Sequence, residues 1–228
     1  MDIKFGYYID LVLCIDATGG MKPILDEVKR TALSLYPRIK EDMAENEVDL
    51  AKLRVKVIVF RDYAYDEEPM VQSEFFTLPE QEEDLKRCVD AIEAHGGGDI
   101  SENALEAIAY ALKSDWTTEG IKRRHVIAVF TDAPALPLGE RSVSALYPSD
   151  LPKDFAELTA MWEGEDRSGV TTFEPSRGRL IAFVPEDESW INLEEWNRYF
   201  PMYMGYGRGC AEFDMRTVID ALIDSIGG

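Results

Sequence analysis

The sequence predicts an α/β fold: a three-layer, doubly wound and mostly parallel sheet with helices on both faces. Four short apolar runs, at residues 11–15, 55–60, 126–130 and 180–184, are nearly continuous rather than alternating. Continuous apolar runs are typical of strands that are buried on both faces of a parallel sheet. Segments with helical periodicity separate these runs, and strands that alternate with helices form such doubly wound sheets.

Helical periodicity defines the elements between the strands. Four helices are expected, at residues 21–45, 80–94, 101–113 and 212–226. Pro37 is expected to kink the first of them, because proline removes one helical hydrogen bond. Ser101 is expected to be the N-cap of the third helix.

The remaining segments complete a single domain that spans residues 1–228. Residues 71–78 are expected to form one antiparallel edge strand, since polar and apolar side chains alternate there. An irregular insertion is expected at about residues 135–178, with a helix near residues 152–162 that Ser149 or Asp150 caps. It holds too few apolar residues for a core of its own. The aromatic-rich stretch at residues 190–206 is expected to contain a short helix and the last strand, with most of its rings in the core.

The charge of the chain narrows the possible partners. Among its 228 residues, 44 are acidic and 24 are basic, which gives a net charge of −20. Such a surface repels phosphate backbones and anionic lipid, so nucleic-acid and membrane-surface functions are disfavoured. The sequence has neither a basic region followed by an apolar run at its start nor an apolar stretch long enough for a membrane helix. We therefore expect a cytoplasmic protein.

Cysteine and histidine usage argues against two classes of site. The three cysteines, Cys14, Cys88 and Cys210, have no short spacing that would indicate a zinc site or a disulfide framework. Only two histidines exist, and the Gly-x-Ser-x-Gly motif of a nucleophile elbow is absent from the sequence. His125, which precedes a predicted strand, is interpreted as structural.

Polar residues follow the predicted strands and precede the third helix. In open α/β sheets, ligands bind beyond the carboxyl ends of the strands. The side chains expected there are four carboxylates and two hydroxyls: Asp16, Asp62, Asp99, Asp132, Thr18 and Thr131. Two carboxylates about 4 Å apart repel by roughly 4 kcal/mol at an effective dielectric constant near 20, and a cation relieves this repulsion. Oxygen ligands suit Mg²⁺, with Mn²⁺ or Ca²⁺ as alternatives, and the lack of nearby His or Cys ligands disfavours zinc.

Two of these stretches resemble motifs of von Willebrand A (vWA) domains. Asp16-Ala17-Thr18-Gly19-Gly20-Met21, which follows an apolar strand, resembles the opening of the metal-ion-dependent adhesion site, Asp-x-Ser-x-Ser. Thr131-Asp132-Ala133-Pro134 resembles the later Asp motif of that family. Two further stretches, Phe60-Arg61-Asp62-Tyr63 and Gly96-Gly97-Gly98-Asp99-Ile100-Ser101-Glu102, are similar to the branch found with alpha-kinases and in bacterial multi-component systems.

The resemblance implies a set of metal ligands. Asp16 and Thr18 would be the first-loop ligands and Asp132 the third-loop carboxylate, while Asp99 lies near the second-loop position that usually holds Thr. Gly20 stands where the family has its second Ser, so either water replaces that hydroxyl or the site is degenerate and empty. Asp62 and Thr131, like Gly20, would lie beside the ligands.

Each of these residues also has a plainer interpretation. Asp16 could cap the first helix while Thr18 bonds backbone amides. For Asp62, a local salt bridge or turn bond is more common than a metal contact.

The resemblance implies a non-enzymatic module for protein–protein interaction, in which a bound Mg²⁺ takes an acidic side chain of a protein partner. A metal-dependent phosphohydrolase is the first alternative, although such enzymes of the haloacid-dehalogenase type need a second Asp where Ala17 stands. A scaffold subunit with an empty metal site is the second alternative.

Overall fold

The computed structural model describes residues 6–165 and 171–204 together with residue 220. In this part of the chain, seven strands form one sheet in the order β3-β2-β1-β5-β6-β7, with β4 also paired to β2. The strands are β1 (Tyr7–Asp16), β2 (Leu50–Phe60), β3 (Met70–Gln72), β4 (Phe76–Leu78), β5 (Lys122–Phe130), β6 (Gly178–Pro185) and β7 (Tyr199–Met204).

Helices cover both faces of the sheet. They are α1 (Leu25–Glu45), α2 (Glu82–Asp90), α3 (Ala104–Leu112), α4 (Phe155–Glu163) and the short α5 (Glu188–Ile191). Apolar side chains of α1 and α2 form one core with alternate residues of β1, and those of α3 and α4 form the other core with the residues in between. The strand therefore needs apolar side chains on both sides, which explains the continuous run at residues 11–15.

The predicted fold class is confirmed. Strands β2, β1, β5, β6 and β7 run parallel, while β3 and β4 run antiparallel to β2 at one edge. No helix among the described residues is both long and apolar enough to cross a bilayer. Helix α1 continues through Pro37.

The edge differs from the expected single strand at residues 71–78. Two short strands, β3 and β4, replace it because Ser73 interrupts the ladder. The Oγ atom of Ser73 accepts a hydrogen bond from the backbone N–H of Val57 at 2.9 Å, a role that a backbone carbonyl has in a regular ladder.

Two predicted helix caps are wrong. Helix α3 begins after Asn103 rather than Ser101, because Glu102 still pairs with Ala135 in an extended bridge. Asp154 caps α4 by accepting a hydrogen bond from the N–H of Glu157 at 2.9 Å, while Asp150 forms an ion pair with Lys113. The helix expected at residues 212–226, like Cys210 and Tyr206, lies outside the described residues, apart from position 220.

The insertion contributes to the shared core rather than to a separate one. The ring of Trp162 on α4 is almost fully buried and stacks on Trp196 with ring centroids 5.3 Å apart. Its indole N–H donates to the carbonyl of Asn197 at 3.1 Å. Among the other aromatic residues of the last stretch, Trp190 is buried, whereas Phe200 and Tyr203 are exposed on β7.

Replacement of Trp162 by Ala should reduce the free energy of unfolding of the whole domain by about 3–5 kcal/mol, because it empties a large buried site. Unfolding in urea, followed by circular dichroism, should remain a single transition. Val143→Ala, in the same insertion but 96% exposed, is the control and should change stability little. Two separate transitions in the Trp162 variant would contradict the single core.

His125 is held as a neutral ring in the interior. Its Nδ1 atom accepts a hydrogen bond from the N–H of Glu174 at 3.2 Å, so Nε2 carries the proton and donates to the carbonyl of Thr117 at 3.1 Å. The ring stacks on Trp116 with a centroid distance of 4.9 Å. Burial lowers the pKa of His125, since the imidazolium form is poorly solvated there.

Acidification should therefore weaken the fold through His125. The unfolded chain takes up the proton near the ordinary histidine pKa, whereas the folded chain does so only at lower pH, so this contribution to stability is lost below about pH 6.5. The loss can reach about 1.4 kcal/mol per pH unit. Urea unfolding of the wild type and of His125→Gln at pH 8, 6.5 and 5 should give a stability difference that shrinks with acid. A difference that stays constant across this range would refute the interpretation.

Candidate functional site

Asp16 ends β1 and is fully buried at the carboxyl edge of the sheet. Its Oδ1 atom accepts hydrogen bonds from the backbone N–H of Thr18 at 2.8 Å and from the Thr18 hydroxyl at 2.7 Å. Its Oδ2 atom accepts a hydrogen bond from the hydroxyl of Thr131, which follows β5, at 2.6 Å. One carboxylate thus joins the loops that follow two neighbouring strands.

The electrostatic environment of Asp16 disfavours its charge. Burial raises the pKa of Asp16 to about 6, the hydrogen bonds from Thr131 and Thr18 oppose this rise, and the charge of Asp132 adds to it. Burial also raises the pKa of Asp132. Both pKa values are raised because the ionised carboxylates of Asp16 and Asp132 are disfavoured, and a nearby positive charge would stabilise that ionised form.

Gly20 faces the carboxylate of Asp132. A methyl group at Gly20 would lie 3.0 Å from Oδ2 of Asp132 and 3.3 Å from its Oδ1. The first loop, after Asp16, and the third loop, which carries Asp132, therefore approach one another at Gly20. This is the position at which the family has its second serine. A hydroxyl at position 20 would lie next to the Asp132 carboxylate.

Backbone hydrogen bonds join the second loop, residues 91–103 between α2 and α3, to the first loop, residues 17–24 between β1 and α1. The N–H of Gly19 donates to the carbonyl of Gly96 at 3.2 Å, and the N–H of His95 donates to the carbonyl of Ala17 at 3.0 Å. Gly96 and Gly97 have φ values of +72° and +73°, a conformation that favours glycine. A side chain at Gly96 would also collide with Asp66, whose carboxylate accepts a hydrogen bond from the N–H of Gly97.

Glu102 is a buried carboxylate that the sequence analysis did not select. A methyl group at Gly97 would lie 3.0 Å from its Oε1 and 3.1 Å from Cβ of Thr18, so Glu102 borders the first loop. Its Oε2 atom is buried without a hydrogen-bond partner. Burial raises the pKa of Glu102 to about 9, and nearby carboxylates, led by Asp16, add to the rise. The sequence signal that could have indicated Glu102 is its position at the end of the Gly96–Glu102 motif, just before an apolar helix.

Asp99 and Asp62 meet at Arg141, which the sequence analysis also missed. The Arg141 guanidinium donates to the fully buried Asp62 carboxylate at 2.7–3.1 Å and forms an ion pair with Asp99. Asp62 also accepts a hydrogen bond from the N–H of Ala64 at 2.6 Å. The structure therefore gives Asp62 the salt bridge and turn bond of its plainer interpretation, and Asp99 lies with Asp62 rather than with Asp16.

The oxygen atoms around Asp16 fit a hard cation. The Thr18 hydroxyl gives its hydrogen to Asp16 and keeps lone pairs on oxygen, and the buried Oε2 of Glu102 lacks a partner. Among the residues described, no three His, Cys, Asp or Glu side chains converge closely enough to hold a metal on their own. A cation here would therefore depend on hydroxyl oxygens and water as well as on carboxylates.

The sequence of this chain matches the family model of the von Willebrand factor A domain over residues 10–140, which is more than half of its length. The chain belongs to the von Willebrand A family. The match ends at the start of the insertion and includes every predicted ligand of the vWA domain. No curated protein matches the chain.

Solved structures share the fold of this vWA domain at low sequence identity. It is similar to the pilus adhesin SpaC from Lactobacillus rhamnosus GG, with 10% identity and a TM-score of 0.61 over 98% of the chain. The open conformation of that adhesin gives 10% identity and a TM-score of 0.58 over 98% of the chain. Proximal thread matrix protein 1 from the mussel byssus gives 10% identity and a TM-score of 0.50 over 97% of the chain.

These neighbours are longer proteins. The chain spans 31% of the adhesin SpaC in one structure and 30% in its open conformation, and 49% of the mussel protein. At this identity the likeness shows the fold alone.

Removal of the Arg141 charge should destabilise the vWA domain strongly. Arg141→Met leaves the Asp62 carboxylate buried without its counter-charge, which costs about 3–5 kcal/mol. Asp99→Asn removes only the more exposed partner of the same guanidinium and should cost less than about 1 kcal/mol. Urea unfolding of both variants measures the two values. Equal small losses would contradict a structural role for the buried pair.

Proposed function

We propose that this vWA domain is a non-enzymatic protein–protein interaction module that holds Mg²⁺ at Asp16, Thr18 and Asp132 and takes an acidic side chain of its partner there. One observation carries the proposal. A fully buried carboxylate accepts hydroxyl hydrogens from two separate loops, at 2.7 Å from Thr18 and 2.6 Å from Thr131, at the carboxyl edge of a vWA sheet. This arrangement supports a site in which the two hydroxyl oxygens bind a cation and the Asp16 carboxylate balances its charge.

Each residue has a separate role in the proposed site. Asp16 orients the two hydroxyls, and Asp132 adds a carboxylate across Gly20. Glu102 adds a buried carboxyl group beside Thr18, which its raised pKa keeps protonated until a cation stabilises its negative charge. When bound, the cation would provide the positive field that allows an acidic domain to attract a carboxylate. Without such a field, a chain with a net charge of −20 would repel an acidic partner.

The structural neighbours support a binding role by analogy of fold. SpaC is a pilus adhesin, and the mussel protein is a thread matrix protein. An enzymatic role has less support from the residues, because Ala17 occupies the position at which the phosphohydrolase alternative requires a second Asp. Ala17 is fully buried beside the first-loop ligands.

Mg²⁺ binding should respond to the hydroxyl at position 20. Gly20→Ser adds the hydroxyl that vWA domains carry, next to Asp132, and should tighten Mg²⁺ binding about tenfold, which corresponds to about 1.4 kcal/mol. Asp16→Asn keeps the shape of the side chain but removes its charge, and should weaken binding by at least about tenfold. Isothermal titration calorimetry with MgCl₂ on the full chain measures both changes.

Gly19→Ser is the matched control, because its side chain would lie 3.4 Å from the carbonyl of Gly96, in ordinary contact, and away from Asp132. Wild-type protein that takes up no Mg²⁺, with a melting temperature that MgCl₂ and EDTA leave equal, would favour the scaffold with an empty site. Steady Mg²⁺-dependent hydrolysis of p-nitrophenyl phosphate that Asp16→Asn abolishes would favour the phosphohydrolase instead.

A further inference from the structure

Four large apolar side chains are exposed beside the candidate site. They lie in three segments of the chain and are Tyr65, Ile100, Val143 and Leu146, which we call the Ile100 surface. Ile100 is 75% exposed and Val143 is 96% exposed. Exposed apolar side chains that gather in one area and have a polar rim are typical of interaction sites.

Contacts between the segments that carry these side chains hold the segments next to one another. The Tyr65 ring lies against Gly98, where an added methyl group would be 2.2 Å from the ring. The Arg141 guanidinium lies 5.6 Å from the centre of the same ring and pairs with Asp99, the neighbour of Ile100. The hydroxyl of Ser144, between Val143 and Leu146 in the insertion, donates to the carbonyl of Tyr63 at 2.7 Å.

The same contacts make the surface ordered before a partner binds. Arg141 is anchored by the buried Asp62, so the insertion and the second loop are fixed to the loop that follows β2. A surface that is already ordered loses less conformational entropy on binding, which raises affinity for a given contact area.

A cleft continues the Ile100 surface on the side of Leu146. Its volume is ≈ 300 Å³, and Leu146, Tyr63, Tyr110 and Met70 form much of its wall. Glu67 and Glu68, both exposed, also line it. On the other side, Glu140 and Asp99 lie around Arg141. The surface is therefore apolar at its centre, acidic on the side of Glu67 and Glu68, and charge-paired on the side of Arg141.

We infer that the Ile100 surface binds a segment of a partner protein in which an apolar side chain, inserted beside Leu146, is flanked by Lys or Arg. Basic residues complement the carboxylates of Glu67 and Glu68 at the margin of the cleft. A second copy of this chain would bring its own acidic margin and repel, as would an anionic membrane. The inference rests on the proposed function, since it describes the contacts that the same partner makes beside the cation site.

Selection of binders from a phage-displayed library of random 12-residue peptides, on the full wild-type chain with MgCl₂, provides the probe. Enriched peptides should contain an apolar residue next to Lys or Arg. Fluorescence anisotropy with the most enriched peptide should show binding at least about tenfold weaker to Ile100→Asp and to Val143→Asp. Ile121→Asp is the matched control, because Ile121 is 65% exposed but lies before β5, at the opposite end of the sheet. The affinity of this variant for the peptide should equal that of the wild type.

Several results would overturn the inference. They are enrichment of peptides without this pattern, no enrichment above the Ile100→Asp background, and equal affinity of the wild type, Ile100→Asp and Val143→Asp. Sedimentation that shows a wild-type dimer dispersed by Ile100→Asp would assign the surface to a second copy and would also overturn it.

Measurements with EDTA and with Asp16→Asn separate this inference from the proposed function. Binding that survives both treatments but is lost in Ile100→Asp supports the Ile100 surface and contradicts a role for the cation. Binding that needs Mg²⁺ but tolerates Ile100→Asp and Val143→Asp supports the cation site and overturns the Ile100 surface.

Discussion

The buried carboxylate of Asp16 is the constraint on which the arrangement of the site depends. Its two oxygens together accept three hydrogen bonds from Thr18 and Thr131, so the ends of β1 and β5 are held by one side chain. A carboxylate in this position is costly to ionise, which is reflected in its raised pKa of about 6. Under the proposed function, this site trades some stability of the unliganded fold for a preference for positive charge.

Two kinds of compensation for buried acid operate at the same edge of the sheet. For Asp62 the compensation is internal, because Arg141 supplies a guanidinium from the insertion. For Asp16, the described residues offer hydroxyl and amide hydrogens instead of a guanidinium. One oxygen of Glu102 is buried without a hydrogen-bond partner among them. This contrast supports the proposal that an external cation binds on the Asp16 side of the edge.

The fold could be predicted because each buried strand is recognisable from its own short stretch of sequence. A strand buried on both faces must be apolar at nearly every position, so β1, β2, β5 and β6 appear in the sequence as continuous runs. The Asp16–Thr18 contact could be anticipated for the same reason, since its partners are two positions apart.

Contacts between distant segments could not be predicted in this way. Arg141 and Asp62 are 79 positions apart, and only the path of the insertion brings them together. Helix α3 starts later than its pattern suggests because Glu102 pairs with Ala135 in an extended bridge. The side-chain oxygen of Asn103, the residue before the helix, accepts a hydrogen bond from the N–H of Tyr63 and does not cap the helix. The surroundings of Glu102 likewise join distant segments, since it borders Thr18 in the first loop.

The guanidinium of Arg141 has a consequence for how the second loop responds to its surroundings. Arg141 pairs with Asp62 and Asp99, which belong to the same chain. A chelator that removes divalent ions therefore leaves these ion pairs unchanged. High ionic strength screens only the ion pair with Asp99, because Asp99 is partly exposed to solvent while Asp62 is fully buried. Under the proposed function, the second loop therefore keeps its position with and without the metal ion, and a partner binds the same surface in either state.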